Sequence, residues 1–308
     1  MSNNPNIFKV TMLGTASAMP VRDRTQSAQA LQVRGRLFLI DCGEGTQYKM
    51  VQYKVPMMKL DSVFISHIHG DHVFGIFGLL STLGMKGRTI PFNIFAPANF
   101  GPILKFFLSY YGDGIPFEIR FTPLKMKGPE VILETKSTEV LAFPLNHGIE
   151  TFGFLFREKE PLYNIRKECI AEYGLTLTEI GTLKRGEDVV RADGTRIPLD
   201  VAAYKPYAPR SYAYCSDTAP FLEESAWLRG TTVIYHEATY TEEYAPEGEK
   251  RGHSTAHQAA RVALEAGAGR LLIGHYTSRN VEKAEFQKEC REVFPDTFAA
   301  SDGEVYDI

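Results

Sequence analysis

The stretch "FISHIHGDHVFG", residues 64–75, places three histidines and an aspartate within six residues, directly after a short apolar run. The run is rich in β-branched and aromatic side chains, which predicts a buried strand that ends near the first histidine. Three imidazoles and a carboxylate are costly to bury without partners, and together they are typical ligands of a metal ion. The stretch therefore predicts a metal site at a strand end, built on His67, His69, Asp71 and His72.

The spacing of these ligands favours two metal ions over one. Residues two apart in an extended loop can point the same way, so the first two histidines can share one ion, while Asp71 and His72 are displaced from them. Imidazole and carboxylate without thiolate favour zinc, with manganese or iron possible. Two ions about 3.5–4 Å apart would produce hydroxide near neutral pH and stabilise both the attacking and the leaving oxygen in phosphoryl transfer. We expect Phe64, Ile65 and Phe74 to form the apolar scaffold around the ligands.

Further ionisable side chains follow other predicted strands. They are Asp41 after "RLFLI", His147 after "EVLAFPLN", Asp217 after "SYAYCS", His236 after "TTVIY" and His275 after "RLLIG". Strand carboxyl ends in α/β folds commonly share one edge of a sheet, where ligands bind. We therefore expect these groups near the first cluster, with Asp217 able to bridge two metals. The role of His236 stays open, since it could simply support the sheet edge.

Short apolar runs mixed with helical patterns predict a layered α/β arrangement. Each run is predicted to form one strand, including "IFKVTML" (7–13), "ALQVRGRLFLID" (30–41), "FNIFAP" (92–97) and "TFGFLF" (151–156). Helices are predicted over 101–112 and over "STAHQAARVALEAGAG" at 254–269, with Ser254 as N-cap and Gly267 or Gly269 as the stop. His257 lies on the second helix and is predicted to be structural.

Residues 157–200 interrupt this pattern. The segment is highly charged, with eight basic and nine acidic residues, and has few signals of buried strands. A short helix around Ile165–Tyr173 and a turn at Asp193-Gly194 are predicted. We interpret the segment as an excursion from the core and not as a second domain.

Composition limits the classes of function. The chain has 308 residues, 44% of them hydrophobic, which is enough for one large domain or two modest ones. The net charge of −3 provides no global attraction for nucleic acid, so such contacts would need a local patch. The four cysteines are scattered, which is typical of a reducing compartment. No signal peptide and no apolar run long enough for a membrane are recognised, so we expect a soluble cytoplasmic protein.

The metal-ligand pattern resembles that of the metallo-β-lactamase superfamily. Within it, further motifs resemble ribonuclease Z, the tRNA 3′-processing endoribonuclease. They are "LGTASAMPVRDRTQSA" (13–28), "DCGEGTQ" (41–47), "HGIETFGF" (147–154), "SDT" (216–218), "HEATY" (236–240), "HSTAHQAA" (253–260) and "GHYTSR" (274–279). The resemblance implies an α/β fold, a four-layer αββα sandwich forming a single domain over 1–308. It also implies a flexible inserted arm at 157–200 that binds tRNA.

The resemblance implies roles for individual residues. Two Zn²⁺ per subunit are implied, with Mn²⁺ possible, and a metal-bound hydroxide attacks phosphorus. The implied ligands are His67, His69 and His147 for one ion, Asp71, His72 and His275 for the other, and Asp217 as the bridge. Asp71 is also implied to accept the proton of the attacking water. His253 is the implied general acid and Glu237 the carboxylate that orients it, which agrees with the need to protonate a poor leaving group.

The substrate contacts implied by the resemblance are less distinctive. Arg24, Lys184, Arg185 and Arg279 could contact phosphates of precursor tRNA. Arg22 and Thr25 replace the family's usual lysine and asparagine beside Arg24, in the loop linked to sensing a CCA end. A homodimer is implied, in which the arm of one subunit serves the active site of the other.

Three alternatives to this interpretation remain open. A lactonase or cyclic-nucleotide phosphodiesterase on the same fold could use the same ligands, although Glu237, His253 and the insertion argue against it. A non-catalytic RNA-binding module is disfavoured by the intact ligand set. A redox di-iron site would be expected to carry a glutamate near position 69, where the chain has His69.

Overall fold

The computed structural model describes residues 6–19, 21–279 and 282–308. In these residues the strands are β1 (Phe8–Gly14), β2 (Ala28–Val33), β3 (Arg36–Ile40), β4 (Leu60–Phe64), β5 (Phe92–Pro97), β6 (Ile119–Leu124), β7 (Glu130–Glu134), β8 (Thr138–Pro144), β9 (Phe152–Glu158), β10 (Asn164–Ile165), β11 (Val189–Val190), β12 (Arg196–Ile197), β13 (Ala203–Tyr204), β14 (Ser211–Cys215), β15 (Val233–Glu237), β16 (Arg270–Gly274), β17 (Thr297–Ala299) and β18 (Val305–Asp307). The helices are α1 (Thr46–Gln52), α2 (Gly70–Val73), α3 (Gly75–Met85), α4 (Phe100–Tyr111), α5 (Lys167–Glu172), α6 (Leu177–Arg185), α7 (Leu199–Ala202), α8 (Glu224–Trp227), α9 (Ala245–Arg251), α10 (Ala256–Ala266) and α11 (Lys283–Val293).

Two seven-stranded sheets form the main unit, residues 6–134, 138–157 and 210–308 without the undescribed positions. The first sheet has the order β18-β1-β2-β3-β4-β5-β6, and its strands β3 to β6 run parallel. The second has the order β17-β16-β15-β14-β9-β8-β7, and its strands β14 to β17 run parallel. Parallel strands leave their carboxyl ends together at one edge of each sheet, which is where the site lies.

The sheets pack face to face through aromatic side chains. Phe64 of β4 stacks on Phe95 with ring centroids 4.8 Å apart, and it lies 5.5 and 5.2 Å from Phe154 and Phe156 of the second sheet. Separate apolar clusters on the outer faces bury Leu79 and Leu80 of α3 against the first sheet, and Ala259, Ala260 and Ala263 of α10 against the second. The arrangement is the expected αββα sandwich.

Two predictions about the scaffold were wrong. The run at 30–41 is not one strand but parts of β2 and β3, which pair antiparallel. Arg34 and Gly35 between them have φ values of 48° and 80°, the left-handed backbone that a two-residue hairpin turn requires. Phe74 is 61% exposed and does not belong to the buried scaffold, whereas Phe64 and Ile65 are fully buried.

The helix predicted at 254–269 begins one residue later than expected. Thr255, and not Ser254, is the N-cap of α10: its side chain accepts from the Gln258 backbone N–H, and the Gln258 side chain accepts from the Thr255 N–H. Ser254 instead donates its hydroxyl to the Thr218 carbonyl oxygen at 2.7 Å. Gly267, with φ 63°, ends the helix in the left-handed conformation.

The charged segment folds as a second compact unit, residues 135–137 and 158–209. It has its own small core, which includes Cys169, Leu183, Val189 and Ile197. Its helix α5 (Lys167–Glu172) lies within the predicted span, and Gly194, with φ 87°, forms the predicted turn between β11 and β12. The sequence did not predict α6, although a capping box of Thr176 and Glu179 begins it.

Among the described residues, no helix is both long enough and apolar enough to span a membrane.

Candidate metal centre and active site

Four predicted ligands converge in one group at the edge of the sandwich. Ligand atoms of His67, His69, His147 and Asp217 all lie within 4.8 Å of one another. The first two follow β4 of the first sheet, whereas the other two follow β8 and β14 of the second. The group is thus assembled from both sheets, and not from a single sheet edge as expected.

The second group consists of Asp71, His72 and His275, whose ligand atoms also lie within 4.8 Å of one another. The short helix α2 carries Asp71 and His72, and His275 follows β16 with φ 62°. Asp217 lies between the groups. Its Oδ2 is 3.6 Å from His67 Nε2, and its Oδ1 is 3.3 Å from His72 Nε2 and 3.2 Å from His275 Nε2.

The spacing of the donor atoms fits metal ions. His67 Nε2 lies 3.0 Å and His147 Nε2 3.4 Å from His69 Nδ1, and the Nε2 atoms of His72 and His275 are 3.3 Å apart. A tetrahedral zinc with bonds of about 2.0–2.1 Å places its nitrogens roughly 3.3 Å apart. The buried Asp217 Oδ1 accepts no well-formed hydrogen bond from the described residues. An unsatisfied buried carboxylate oxygen among facing imidazole nitrogens is the arrangement that a cation stabilises.

The remote ring nitrogens of these histidines are held by neighbouring groups. His67 Nδ1 lies 3.0 Å from Ser66 Oγ, and His72 Nδ1 lies 2.7 Å from Asp41 Oδ2. The other two contacts are His147 Nδ1 to the Gly252 carbonyl oxygen at 2.8 Å and His275 Nδ1 to Thr239 Oγ1 at 2.8 Å. Each contact fixes the orientation of a ring and leaves its Nε2 turned toward the centre.

Burial and neighbouring charges set the protonation of the ligands. Burial, with the neighbouring His72, lowers the pKa of His67 well below its ordinary value, which leaves this ring able to donate a lone pair. Burial also opposes ionisation of Asp217, but the imidazoles of His275 and His72 outweigh it and hold the pKa of this carboxyl low. His67 thus presents a neutral imidazole and Asp217 an ionised carboxylate, the forms that bind metal. Burial opposes the charged form of His72, but the carboxylates of Asp217, Asp41 and Asp71 outweigh it and raise the pKa of this ring well above its ordinary value, so a bound metal would take the place of its proton.

A histidine–carboxylate pair lies beside the metal groups. The fully buried Glu237 Oε1 is 2.9 Å from His253 Nδ1 and accepts from the backbone N–H of Thr218 and of Ser254. Its Oε2 accepts from the N–H and the hydroxyl of Thr239 at 2.9 and 2.6 Å. Burial disfavours the charged imidazole, but the Glu237 carboxylate overcomes this and raises the pKa of His253 to about 9. His253 is therefore held protonated at neutral pH, with Nε2 as its available nitrogen.

Two of the predicted substrate contacts lie in the main unit. The Arg24 guanidinium lies 5.4 Å from the ring centroid of Tyr276, the residue after His275, and its buried Nη1 has no hydrogen-bond partner among the described residues. Arg279 lies over the Tyr244 ring at 4.4 Å and 3.5 Å from Glu247 Oε1.

The other two predicted contacts lie in the second unit. Lys184 lines a cavity of about 790 Å³, and Arg166 and Lys167 line the same cavity. Arg185 is exposed and lies 3.7 Å from Glu187.

Sequence reasoning missed several residues that support the site. The sequence pattern places Asp41 at a strand end without indicating a role for it, and it does not indicate Ser66, Gly252 or Thr239. The signal for Asp41 was its position directly after β3, beside β4, which carries the first ligands. His236 is fully buried, with Nε2 3.1 Å from Glu224 Oε1, which agrees with a supporting role at the sheet edge.

The first third of the chain matches one family model. Residues 8–104 match the model described as anti-Pycsar protein Apyc1. This segment contains His67, His69, Asp71 and His72 but ends before the other three predicted ligands.

Solved structures similar to this chain share its fold. Human tRNase Z, short form, has a TM-score of 0.71 at 22% identity and covers 97% of this chain and 98% of its own. The metallo-β-lactamase fold protein YhfI from Bacillus subtilis has a TM-score of 0.70 at 20% identity and covers 98% and 100%. These likenesses show that the αββα sandwich is a metallo-β-lactamase fold.

Curated relatives match almost the whole chain at higher identity. A protein of Parabacteroides distasonis named ribonuclease Z is 38% identical over 296 residues, which is 96% of this chain and 97% of the relative. A protein of Cytophaga hutchinsonii with the same name is 40% identical over 300 residues, covering 97% and 96%. The chain therefore belongs to the ribonuclease Z family, endoribonucleases of the tRNase Z type.

Proposed function

We propose that this protein is a zinc-dependent endoribonuclease that cleaves precursor tRNA and removes the 3′ trailer. The tRNA would keep a 3′-hydroxyl and the trailer a 5′-phosphate. Membership of the ribonuclease Z family supports the reaction. The observation that carries the mechanism is the position of the Glu237–His253 pair: the His253 and His147 rings are 5.1 Å apart, centroid to centroid.

Two metal ions would be held by the two ligand groups, with Asp217 contributing to both. His67, His69 and His147 would hold one ion, and Asp71, His72 and His275 the other. When bound, zinc, or manganese in its place, activates water and neutralises charge on the phosphate. The chain's own contribution is to hold these donors in place through Ser66, Asp41, Gly252 and Thr239.

We assign to Asp71 the role of accepting the proton of the attacking water, which the family resemblance implies. Burial opposes its ionisation, but the nearby His72 and His275 rings hold the pKa of Asp71 far below its ordinary value. Its carboxylate therefore stays ionised, and it lines the catalytic cavity of about 650 Å³ together with His253. A base and an acid on one cavity are the groups that hydrolysis of a phosphodiester requires.

His253 is suited to protonate the departing 3′ oxygen. Its Nδ1 is held by Glu237, so the proton leaves from Nε2. Because the Glu237 carboxylate is itself fixed by four donors from the backbone and from Thr239, it orients the ring without shifting. The two residues together supply an acid that is charged at neutral pH and fixed in direction.

The remaining parts of the proposal concern the tRNA body and the assembly. Arg24 and Arg279 would contact phosphates near the site, and Lys184 and Arg185 would do so on the 157–200 arm, the proposed tRNA-binding exosite. The cavity beside Lys184 with Arg166 and Lys167 supports a phosphate contact there. We also propose a homodimer. A cytoplasmic location is supported by the four unpaired cysteines and by the substrate.

The test is cleavage of two matched precursor tRNAs, one with an encoded CCA and one without, followed by mapping of both new ends. We expect a cut at the 3′ end of the tRNA body with a 3′-hydroxyl on the tRNA and a 5′-phosphate on the trailer. A lactone serves as the control substrate, because a lactonase would use the same ligand set. Turnover of the lactone without cleavage of either tRNA would overturn the proposal.

A further inference from the structure

A second cavity, of about 700 Å³, adjoins the catalytic one. His147, Gly148, Arg251 and His253 line both cavities. The second cavity has none of the other predicted metal ligands among its lining residues and extends instead along α9. The second cavity therefore lies on the His253 side of the site. Asp71 lines the catalytic cavity but not the second one, so the second cavity lies away from it.

The walls of this second cavity combine small apolar side chains with amide groups, and the charged Glu249 and Lys250 also line it. Ala219 and Pro220 lie on one segment and Ala245 and Pro246 on another, and the side-chain amides of Asn146 and Gln258 also line it. Its size is within the range of small-molecule sites. Apolar surface from the two Ala-Pro pairs, with amide and charged groups beside it, suits a nucleobase, which has two apolar faces and a hydrogen-bonding edge.

Arg251 stands where the two cavities meet. It is exposed, and among the described residues its guanidinium has no carboxylate within ion-pair distance. It lies two residues before His253, so a phosphate at the junction would have a cation beside the proposed acid. Arginine forms paired hydrogen bonds with phosphate oxygens.

We infer that this second cavity binds the nucleoside on the 5′ side of the scissile phosphate, with Arg251 on the phosphate itself. The inference rests on the proposed role of His253. A general acid must touch the leaving oxygen, which in this reaction is the 3′ oxygen of the last tRNA nucleoside. That nucleoside must therefore occupy the His253 side of the site, while the trailer extends from the side lined by Asp71.

The test uses precursor tRNAs that lack one base next to the cut. With the wild-type enzyme, removing the base 5′ of the scissile phosphate should lower kcat/KM about tenfold, the effect of losing roughly one base contact. Removing the base 3′ of it should change kcat/KM less than twofold. Ala245→Phe, which fills the cavity, should slow the intact substrate and abolish the penalty for the missing 5′ base. Glu243→Phe places the same ring two residues earlier on an exposed position and should keep the penalty.

The possible outcomes separate the inference from the proposed function. If the wild-type enzyme fails to cleave intact precursor tRNA, the proposed function is wrong and the inference falls with it. If it cleaves but the penalty follows the 3′ base, or both bases equally, the cavity assignment is overturned while the function stands. The wild-type comparison of the two abasic substrates decides this even if the Ala245→Phe protein does not fold.

Discussion

Asp41 connects the scaffold to the metal centre through one buried carboxylate. Its Oδ1 accepts from the Ser66 backbone N–H at 2.7 Å. Its Oδ2 accepts from Ser66 Oγ at 2.8 Å and from the Tyr214 hydroxyl at 2.6 Å, and lies 2.7 Å from His72 Nδ1. The fully buried Asp41 thus orients the predicted ligand His72 and also Ser66, the residue just before the predicted ligand His67.

We expect Asp41→Asn to lower metal affinity about 10- to 100-fold, the usual cost of removing an outer carboxylate. An amide nitrogen cannot accept a hydrogen bond, so at least one of the buried donors around the Asp41 carboxylate would lose its partner. Competition with a chelator would measure the affinity. Tyr214→Phe removes one donor and keeps the carboxylate, so it should weaken binding less. Equal affinities for the wild type and Asp41→Asn would refute the role of Asp41.

His253 allows chemistry to be separated from metal binding. His253→Ala should lower kcat for precursor tRNA about 10²- to 10⁴-fold, the range for losing a general acid, with metal content unchanged. His67→Ala should lose both metal and activity, because it removes a proposed ligand. Metal analysis and single-turnover cleavage would measure the two effects.

The control for the His253→Ala and His67→Ala variants is His257→Ala. His257 lies on α10 and contacts Glu292 at 3.3 Å on the surface, so its removal should leave both metal and cleavage unchanged. Near-normal cleavage of precursor tRNA by the His253→Ala protein would rule out His253 as the general acid.

The first turn of helix α6 is stabilised by contacts of Glu179 whose strength depends on pH. Glu179 completes the capping box with Thr176, and its Oε1 lies 2.7 Å from Arg191 Nε. The hydrogen bonds with Arg191, together with that from Thr176, lower the pKa of Glu179 from 4.5 to about 2. Since the folded pKa lies below the unfolded one, this stabilisation is complete above about pH 4.5 and is lost as the pH falls toward 2.

Glu179→Gln should therefore lower the melting temperature at pH 7, and the difference from wild type should shrink at pH 4. Thermal unfolding at the two pH values, with hydrogen exchange to localise the change to 158–209, would measure this. Glu187→Gln is the matched control, because Glu187 is exposed and only 3.7 Å from Arg185, a contact worth little. A Glu179→Gln penalty that is the same at both pH values would contradict the assignment of the pKa shift.

At the scale of the whole molecule, the chain enters and leaves the second unit at adjacent points. Arg157 of β9 and Ser211 of β14 are partners in an antiparallel ladder. Residues 159–209 can therefore be replaced by a short Gly/Ser turn that joins two strands already side by side. The deletion tests whether this unit serves only the macromolecular substrate.

We expect the deletion variant to keep its metal and its turnover of a small model phosphodiester, because all seven predicted ligands lie outside the segment. Cleavage of precursor tRNA should fall at least about tenfold in kcat/KM, mainly through KM, if the unit supplies roughly 1.4 kcal/mol or more of tRNA binding. Steady-state kinetics on both substrates would measure this. An unchanged KM for precursor tRNA would exclude the arm as a binding exosite.

Much of this protein could be predicted from local sequence. The short apolar runs predicted β1, β4, β5, β8, β9 and β14 to β16, because β-branched and aromatic residues favour buried strands. The motifs along the chain indicated the fold and the family. The metal cluster was recognisable because four ligands adjoin in sequence at 67–72, and burying so many polar groups side by side is rarely stable without a metal ion.

The contacts between residues distant in sequence depend on the tertiary structure. Local sequence specified the kind of metal ligand and the strand that carries it. It did not determine that both sheets contribute to each group, that Asp41 contacts His72 across 31 positions, or that Thr239 contacts His275 across 36. It also placed the N-cap of α10 on Ser254, because serine is a better N-cap than threonine in isolation. In the fold the serine hydroxyl donates instead to the Thr218 carbonyl oxygen, 36 positions away. Residue type and local spacing are properties of the chain, whereas these pairings depend on how the two sheets bring remote segments together.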